Sequence, residues 1–471
     1  GLLAGTGGSE LTIYSDSGGC SSANSIGCGV PVDITQPDGS GYSLTWDTPA
    51  QCQESNPDPW NVSENPIITC SGSYRLKDVR SKSSYAMKIK YQSEVQYTPS
   101  WHKRDSVKFF DLGQVYCDPS AQNCDGVASA GSIAYSYPNT NTVSVTDERA
   151  GTWVLTTNSS GQLTGVRRPG AQSDTTSVTY VGDRVSSVTK NGKTKTYSWG
   201  VSGNDGSLTT LATATGAGAT AQRVSDPDIL QVLQSTEGGM GVTTYEYDSY
   251  GRTQQQTNPE GDQTIATLDE RGNVTEVRAV AKAGSGQADL VTATSFDSSC
   301  SSNVTCNLPN YQIDPKGNRT DYAYDAVHGG ITKEQLPAPI SGGVRPETNY
   351  TYSQLYPQVR NSANQLVNAP TTQAKLTQVT TCATAATCPG TANETRVTIA
   401  YNTPNLQVSS VTVASGNGAI SSTTSYTYDT ADNLKTIDGP LPGSADTTTL
   451  FYDSVNRKKG VIGPDPDGSG S

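Results

Sequence analysis

The chain has 471 residues, a formal net charge of −12 and only 33% hydrophobic residues. That is too polar for a thick-cored globule of this length, and the negative balance disfavours nucleic acid and anionic membranes as partners. No apolar run approaches the about 20 residues needed to cross a bilayer.

Tyr (24 residues) far outnumbers Phe (4), and Thr, Val and Ser are abundant. These residues suit a pleated, half-wet sheet. Gly and Pro punctuate the whole length, and no long 3.6-residue apolar stripe occurs, so the chain reads as many short strands with little helix. The start, "GLLAGTGG", has neither a basic leader nor Met, and the end, "GPDPDGSGS", stops in turn-like sequence; both ends read as cut from a longer polypeptide.

Residues 1–125 read as a β-rich opening segment. It holds three close cysteine couples, Cys20 with Cys28, Cys52 with Cys70, and Cys117 with Cys124. Residues 126–235 read as degenerate hairpins, with "VTDERAGTW", "SSGQLTGVRRPG" and "NGKTKTYSW" as pieces. Residues 236–471 are a repeat array interrupted by two further couples, Cys300 with Cys306 and Cys382 with Cys388. Cys-x-x-Cys spacing is absent and the chain has only two His, which argues against zinc. Disulfides across short polar loops, each contributing about 2–3 kcal/mol, fit an oxidising compartment.

The array repeats an Asp followed three residues later by a residue tolerant of positive φ. The pairs are Asp248 with Gly251, Asp269 with Gly272, Asp314 with Gly317, Asp325 with His328, Asp429 with Asp432, and Asp453 with Asn456. An Asp at the first position and a left-handed residue at the fourth describe a type I turn closing a short hairpin. Tyrosines two apart precede several of these turns, as in "YEYDSYGR" (245–252) and "YTYDTADN" (426–433), so each couple shares one sheet face and is expected to stack across strands. The period is 21 residues from Asp248 to Asp269 and again from Gly161 to Gly182. A strand repeat of that length indicates a solenoid-like sheet.

"YEYDSYGRTQQQTNPEGDQTIATLDERGNVTEV" (245–277) resembles the tyrosine–aspartate repeat of the Rhs family. That family includes bacterial polymorphic-toxin shells, shell components of insecticidal toxin complexes, and teneurins. The segments "QPDGSGYSLTW" (36–46) and "YAMKIKYQSE" (85–94) are similar to the region preceding the repeats. The resemblance implies an all-β fold, a spiralling sheet of antiparallel hairpins that forms a shell around a C-terminal toxin-like cargo.

Sites of chemistry are few. The Asp325–His328 couple has the composition of an acid–base pair, but His328 reads better as the positive-φ turn residue. His102 lies in "SWHKRDS", which reads as a solvated turn. The carboxylates are assigned to turns, so no glycosidase pair stands out. No G-x-S-x-G elbow is present. "PDPDGSG" (464–470) lacks the Glu of a calcium loop. In "PNYQIDPKGN" (309–318), Pro309, Asp314, Pro315 and Gly317 match the family's self-cleavage skeleton. Asn318 replaces its apolar residue, and more repeats follow, so cleavage is not expected.

The expectation is therefore a non-enzymatic extracellular or cell-surface scaffold without cofactor or metal. Its partner would be its own C-terminal cargo or further repeats. The alternative is an adhesion module binding a surface glycan or another copy of itself.

Overall fold

The computed structural model describes residues 12–15, 31–47, 52–55, 67–70, 75–93, 100, 102–117, 124, 126–202, 209–216, 219–225, 231–238, 240–382, 388–453 and 456–464. These residues form 36 strands and no helix. Thirty-two of the strands belong to one antiparallel sheet, so the fold is all-β. Among the described residues, no helix is long and apolar enough to cross a membrane. The local cause is visible in strands such as Val242–Tyr247, Thr448–Tyr452 and Ser421–Tyr428, which are runs of Thr, Val, Ser and Tyr. Such side chains pack well on a pleated surface and lose little entropy there.

The chain divides into two compact units. One comprises Gly1–Ala134, Ser302–Thr305 and Tyr322–Ser471, and the other Tyr135–Ser301 and Cys306–Asp321. These units are drawn differently from the sequence segments 1–125, 126–235 and 236–471. The opening segment belongs with the late repeats, and the degenerate hairpins run on into the first clear ones.

The first unit contains a small apolar core. Phe110 and Leu112, each 1% exposed, pack with Ala86 around the Cys117–Cys124 disulfide, flanked by Val115, Val127 and Val359. Truncation of a side chain buried like Phe110 costs about 3–5 kcal/mol. The same unit contains the long interruption after Asp325. It resolves into the strands Ile331–Gln335, Glu347–Leu355, Gln373–Cys382, Glu394–Tyr401 and Val408–Ser415, with a separate small hairpin, Gln358–Arg360 and Leu366–Asn368. Cys382 and Cys388 form a disulfide.

The second unit has no comparable core among its described residues. Its strands alternate half-buried and exposed positions, as in Thr176–Val181. Hydroxyl pairs bridge neighbouring strands: Thr146 with Thr152 at 3.0 Å, Thr179 with Ser187 at 2.7 Å, and Thr189 with Thr194 at 2.8 Å. Each such cross-strand pair contributes about 0.2–1 kcal/mol. The stretch between Asp269 and Asp314 is a long hairpin of Val274–Val280 and Leu290–Ser295, followed by a loop closed by the Cys300–Cys306 disulfide.

Cys20 and Cys28 lie outside the described residues. Cys52 and Cys70 are opposed backbone partners in the strand pair Cys52–Ser55 and Ile67–Cys70.

Candidate functional site

Five of the turns share one geometry. At Asp248 the Gly251 N–H donates to the Asp248 carbonyl at 3.0 Å, the Asp248 N–H donates to the Arg252 carbonyl at 2.9 Å, and Gly251 has φ +76°. The same two bonds close Asp269–Asn273, Asp314–Asn318, Asp429–Asn433 and Asp453–Arg457. The fourth residue takes a positive φ in each: Gly272 at 92°, Gly317 at 80°, Asp432 at 61° and Asn456 at 62°. In four of these hairpins the strand before the turn carries a bulge, placed between Glu246 and Tyr247, Thr267 and Leu268, Thr427 and Tyr428, and Phe451 and Tyr452. A type I turn closed by a left-handed residue with an adjacent bulge keeps the twist of the two strands matched.

Each Asp carboxylate is occupied. Oδ1 of Asp248 accepts the N–H groups of Tyr250 and Arg252, both at 2.9 Å. Oδ1 of Asp269 accepts those of Arg271 and Asn273, and Oδ1 of Asp314 those of Lys316 and Asn318. The second oxygen is held by the fifth residue of the turn: by Arg252 Nε at 2.5 Å, Asn273 Nδ2 at 2.8 Å, Asn318 Nδ2 at 2.8 Å, Asn433 Nδ2 at 3.1 Å and Arg457 Nε at 2.7 Å. This Arg-or-Asn clamp was readable in "YDSYGR", "LDERGN", "DPKGN", "YDTADN" and "YDSVNR", but the sequence reading stopped at the fourth position. Partial desolvation raises Asp248 and Asp269, yet the clamp bonds outweigh it and hold both below the ordinary carboxylate value. The Asn318 side-chain and backbone bonds do the same for Asp314.

Other turns closed by the same two bonds lie outside the six Asp pairs, among them those with Gly161 at φ +79° and Gly261 at +84°, and two whose left-handed residue is not Gly. Ala150, with φ +59°, closes the turn of Asp147, and Asn364, also +59°, closes that of Asn361. An Asx residue followed three places on by Asn marks the second; Ala marks nothing, so the first was hidden.

The turn at Asp325 corrects the reading of His328. The Asp325 N–H bonds the Gly330 carbonyl, the Gly329 N–H bonds the Asp325 carbonyl, and the positive φ, 69°, falls on Gly329. The turn is one residue longer than its relatives because a Gly adjacent to the His takes the left-handed conformation at lower cost. His328 is freed to turn inward. Its side chain is 6% exposed, its ring lies 4.5 Å from that of Tyr352, and its Nδ1 accepts the Gly330 N–H at 3.0 Å. A Cβ on Gly330 would meet both rings at 2.8 Å, so only Gly fits there. With Nδ1 accepting, the neutral ring carries its proton on Nε2, 3.5 Å from Asp325 Oδ1. His102 sits in an exposed turn in which the Lys103 N–H donates to the Ser100 carbonyl.

The tyrosines before the turns act through their hydroxyls. Tyr247 donates to the Val232 carbonyl at 2.8 Å, Tyr428 to Val408 at 2.9 Å and Tyr452 to Leu434 at 3.0 Å. Tyr180 with Leu163, Tyr91 with Leu76 and Tyr401 with Leu376 repeat the bond at 2.8 Å. In each case the acceptor lies near the start of the preceding strand, so the ring ties one strand to its neighbour. Within their own hairpins the couples Tyr245 with Tyr247 and Tyr426 with Tyr428 stand opposite Gln256 and Thr253, and Ile437 and Leu434, rather than another Tyr.

Asp432 has a second role. Its Oδ2 accepts the Tyr85 hydroxyl at 2.8 Å and an N–H of Asn405 Nδ2. The same amide reaches Asp111 Oδ2 at 3.3 Å. Tyr85 and Asp111 are register partners on the strands Tyr85–Tyr91 and Arg104–Asp111, and Asp111, 6% exposed, is also fixed by the Gly113 N–H at 2.8 Å. Asn405 follows Pro404, whose carbonyl receives the Gln358 N–H, and Gln407 Nε2 bonds the Asp432 carbonyl at 3.1 Å. Burial, then the Asp111 carboxyl beside it, push Asp432 up to about 6. Burial and Asp432 raise the Tyr85 phenol as well. The arrangement locks the turn to the strand pair through Tyr85 and the Asn405 amide, with the raised Asp432 carboxyl at its centre. Sequence reading saw Asp432 only as a turn residue, and nothing near it in the chain points to Asp111.

Among the described residues, no three His, Cys, Asp or Glu side chains gather as a metal site. Asp314 is engaged throughout by its own turn.

No family model matches the chain, and no curated protein matches it. Among solved structures, a Photorhabdus luminescens Tc holotoxin pore with a TccC3 variant is similar at 12% identity and a TM-score of 0.36, over 93% of this chain and 24% of that one. A TcdB2-TccC3 crystal structure without the hypervariable C-terminal region gives the same values. A further TcdB2-TccC3 structure covers 89% of this chain and 27% of that one at 12% identity and a TM-score of 0.25. The chain spans about a quarter of the length of these proteins. The likeness is distant, and the chain's own repeat geometry carries the reading that follows.

Proposed function

We propose that the chain is a non-enzymatic extracellular scaffold of tyrosine–aspartate-repeat type, part of a β-shell that encloses a toxin-like C-terminal segment of the same polypeptide. The observation that carries this reading is the clamped turn. Five hairpins commit both oxygens of an Asp to their own backbone and to the fifth residue, and the tyrosine latch ties strand to strand. Carboxylates, which elsewhere serve as general acids and bases, are used here for architecture. Antiparallel pairing also consumes most strand edges, which suppresses aggregation of a large, thin sheet.

The test uses the full-length polypeptide. Limited proteolysis in the native state, followed by mass spectrometry, should leave the segment after the repeats intact while the same segment expressed alone is digested. Electron microscopy should show density enclosed by a wall. Equal digestion in both contexts, or a solid body, would sink the proposal and favour an adhesion module.

A further inference from the structure

The first unit contains a cavity of about 770 Å³ between the strands Pro31–Thr35, Gly41–Asp47 and Arg75–Ser81 and the small hairpin of Gln358–Arg360 and Leu366–Asn368. A sheet face covered by a hairpin is ordinarily apolar, because covered polar groups lose their water. This one is polar. Asp33 opposes Ser43, Ser43 opposes Arg80, and Thr45 opposes Asp78, all lining the cavity.

The charges are not balanced. Arg80, Lys82 and Arg360 face the cavity together with Asp33 and Asp78. Lys82 Nζ is paired with Asp33 at 2.8 Å, and Arg360 Nη1 donates to the Asn364 carbonyl at 2.7 Å. The side chain of Arg80, half-buried, has no hydrogen-bond or ion-pair partner among the described residues. A guanidinium in that position presents a planar fork of donors that matches a carboxylate. Ser43 stands opposite it, its hydroxyl donating to Asp33 at 3.1 Å and keeping lone pairs to accept. The cavity lining also carries the Thr45 hydroxyl and the Asn368 amide, whose Oδ1 takes Gln358 Nε2 at 3.4 Å and whose N–H groups can meet a sugar hydroxyl. Tyr116, 37% exposed, adds an aromatic ring at the cavity wall. The volume suits one or two sugar rings.

We infer that this cavity is a binding site for a carboxylated sugar, with Arg80 receiving the carboxylate. This site is independent of the shell reading: it is built from residues of the first unit alone and stands or falls without any enclosed cargo.

The experiment is a titration of the full chain with glucuronic acid, glucose and acetate, followed by ligand-observed NMR. Glucuronic acid is expected to saturate, with glucose and acetate each binding at least about tenfold more weakly, because only the first offers both ring hydroxyls and a carboxylate. Arg80→Gln should remove that preference. Tyr116→Ser, a change at a partly exposed position, should weaken glucuronic acid and leave acetate unchanged, and it serves as the second variant if Arg80→Gln lowers the melting temperature. No saturable binding of glucuronic acid, acetate binding as well as glucuronic acid, or variants that bind like the native chain would each overturn the assignment.

Discussion

The hydroxyl of Tyr85 donates to the carboxylate of Asp432 at 2.8 Å, across 347 residues of sequence. Tyr85 opens a strand of the N-terminal segment, and Asp432 closes a hairpin near the other end of the chain. The contact turns a repeat position into a proton-holding latch.

The first prediction concerns that proton. Asp432 titrates at about 6 in the folded chain against an ordinary 3.8. A raised carboxyl contributes stability that is complete below the ordinary value and is lost as pH rises through about 6. Asp432→Asn keeps a residue that tolerates positive φ and removes the charge. Denaturant melts should show the variant gaining about 1–2 kcal/mol over the native chain at pH 7.5 and almost nothing at pH 4. A gain independent of pH would refute the latch.

The turn aspartates run the other way. Asp248, Asp269 and Asp314 are held below the ordinary carboxylate value, so their contribution is present above that value and is lost as pH falls through the depressed one. Asp269→Ala should cost about 1 kcal/mol, because two N–H groups and the Asn273 amide lose their acceptor. Hydrogen exchange should speed up at Arg271 and Asn273 while distant hairpins keep their protection.

Gly317 tests whether the fourth turn position is a matter of conformation or of space. A Cβ there would meet nothing within 4 Å, yet φ is +80°. Gly317→Ala is expected to cost about 1 kcal/mol, and Gly317→Asn clearly less, since Asn enters the left-handed region more easily. Equal costs for the two variants would mean that φ is not the constraint.

The tyrosine latch is tested by Tyr428→Phe, which leaves the Val408 carbonyl without its 2.9 Å donor. A loss of about 0.5–1.5 kcal/mol in chemical denaturation is expected. Tyr426→Phe, at the other position of the couple, should cost less if the hydroxyl bond rather than ring packing is what matters.

Legibility in the sequence followed the range of the interactions. The Asp at 248, 269, 314, 429 and 453 and the left-handed residue three places on could be read because every bond of the turn closes within five residues. The Arg-or-Asn clamp is equally local, reaching back only four positions to the Asp carboxylate. His328 was misplaced by one residue: Gly329 competes for the same backbone state, and the ring's packing on Tyr352 rewards moving it inward. Ala150 was hidden because nothing in an Ala advertises a positive φ.

By itself, then, the sequence determined an all-β chain of short antiparallel hairpins, the identity of their turns, and aspartates committed to backbone. Those features come from strand propensity and bonds within a single turn. Only the tertiary structure decided that Asp432 meets Tyr85 and, through Asn405, Asp111, and that Arg80 faces a cavity beside the 358–368 hairpin. Both depend on which strands lie beside one another after hundreds of intervening residues, and no local preference encodes a contact whose partners meet only once the sheet has been assembled.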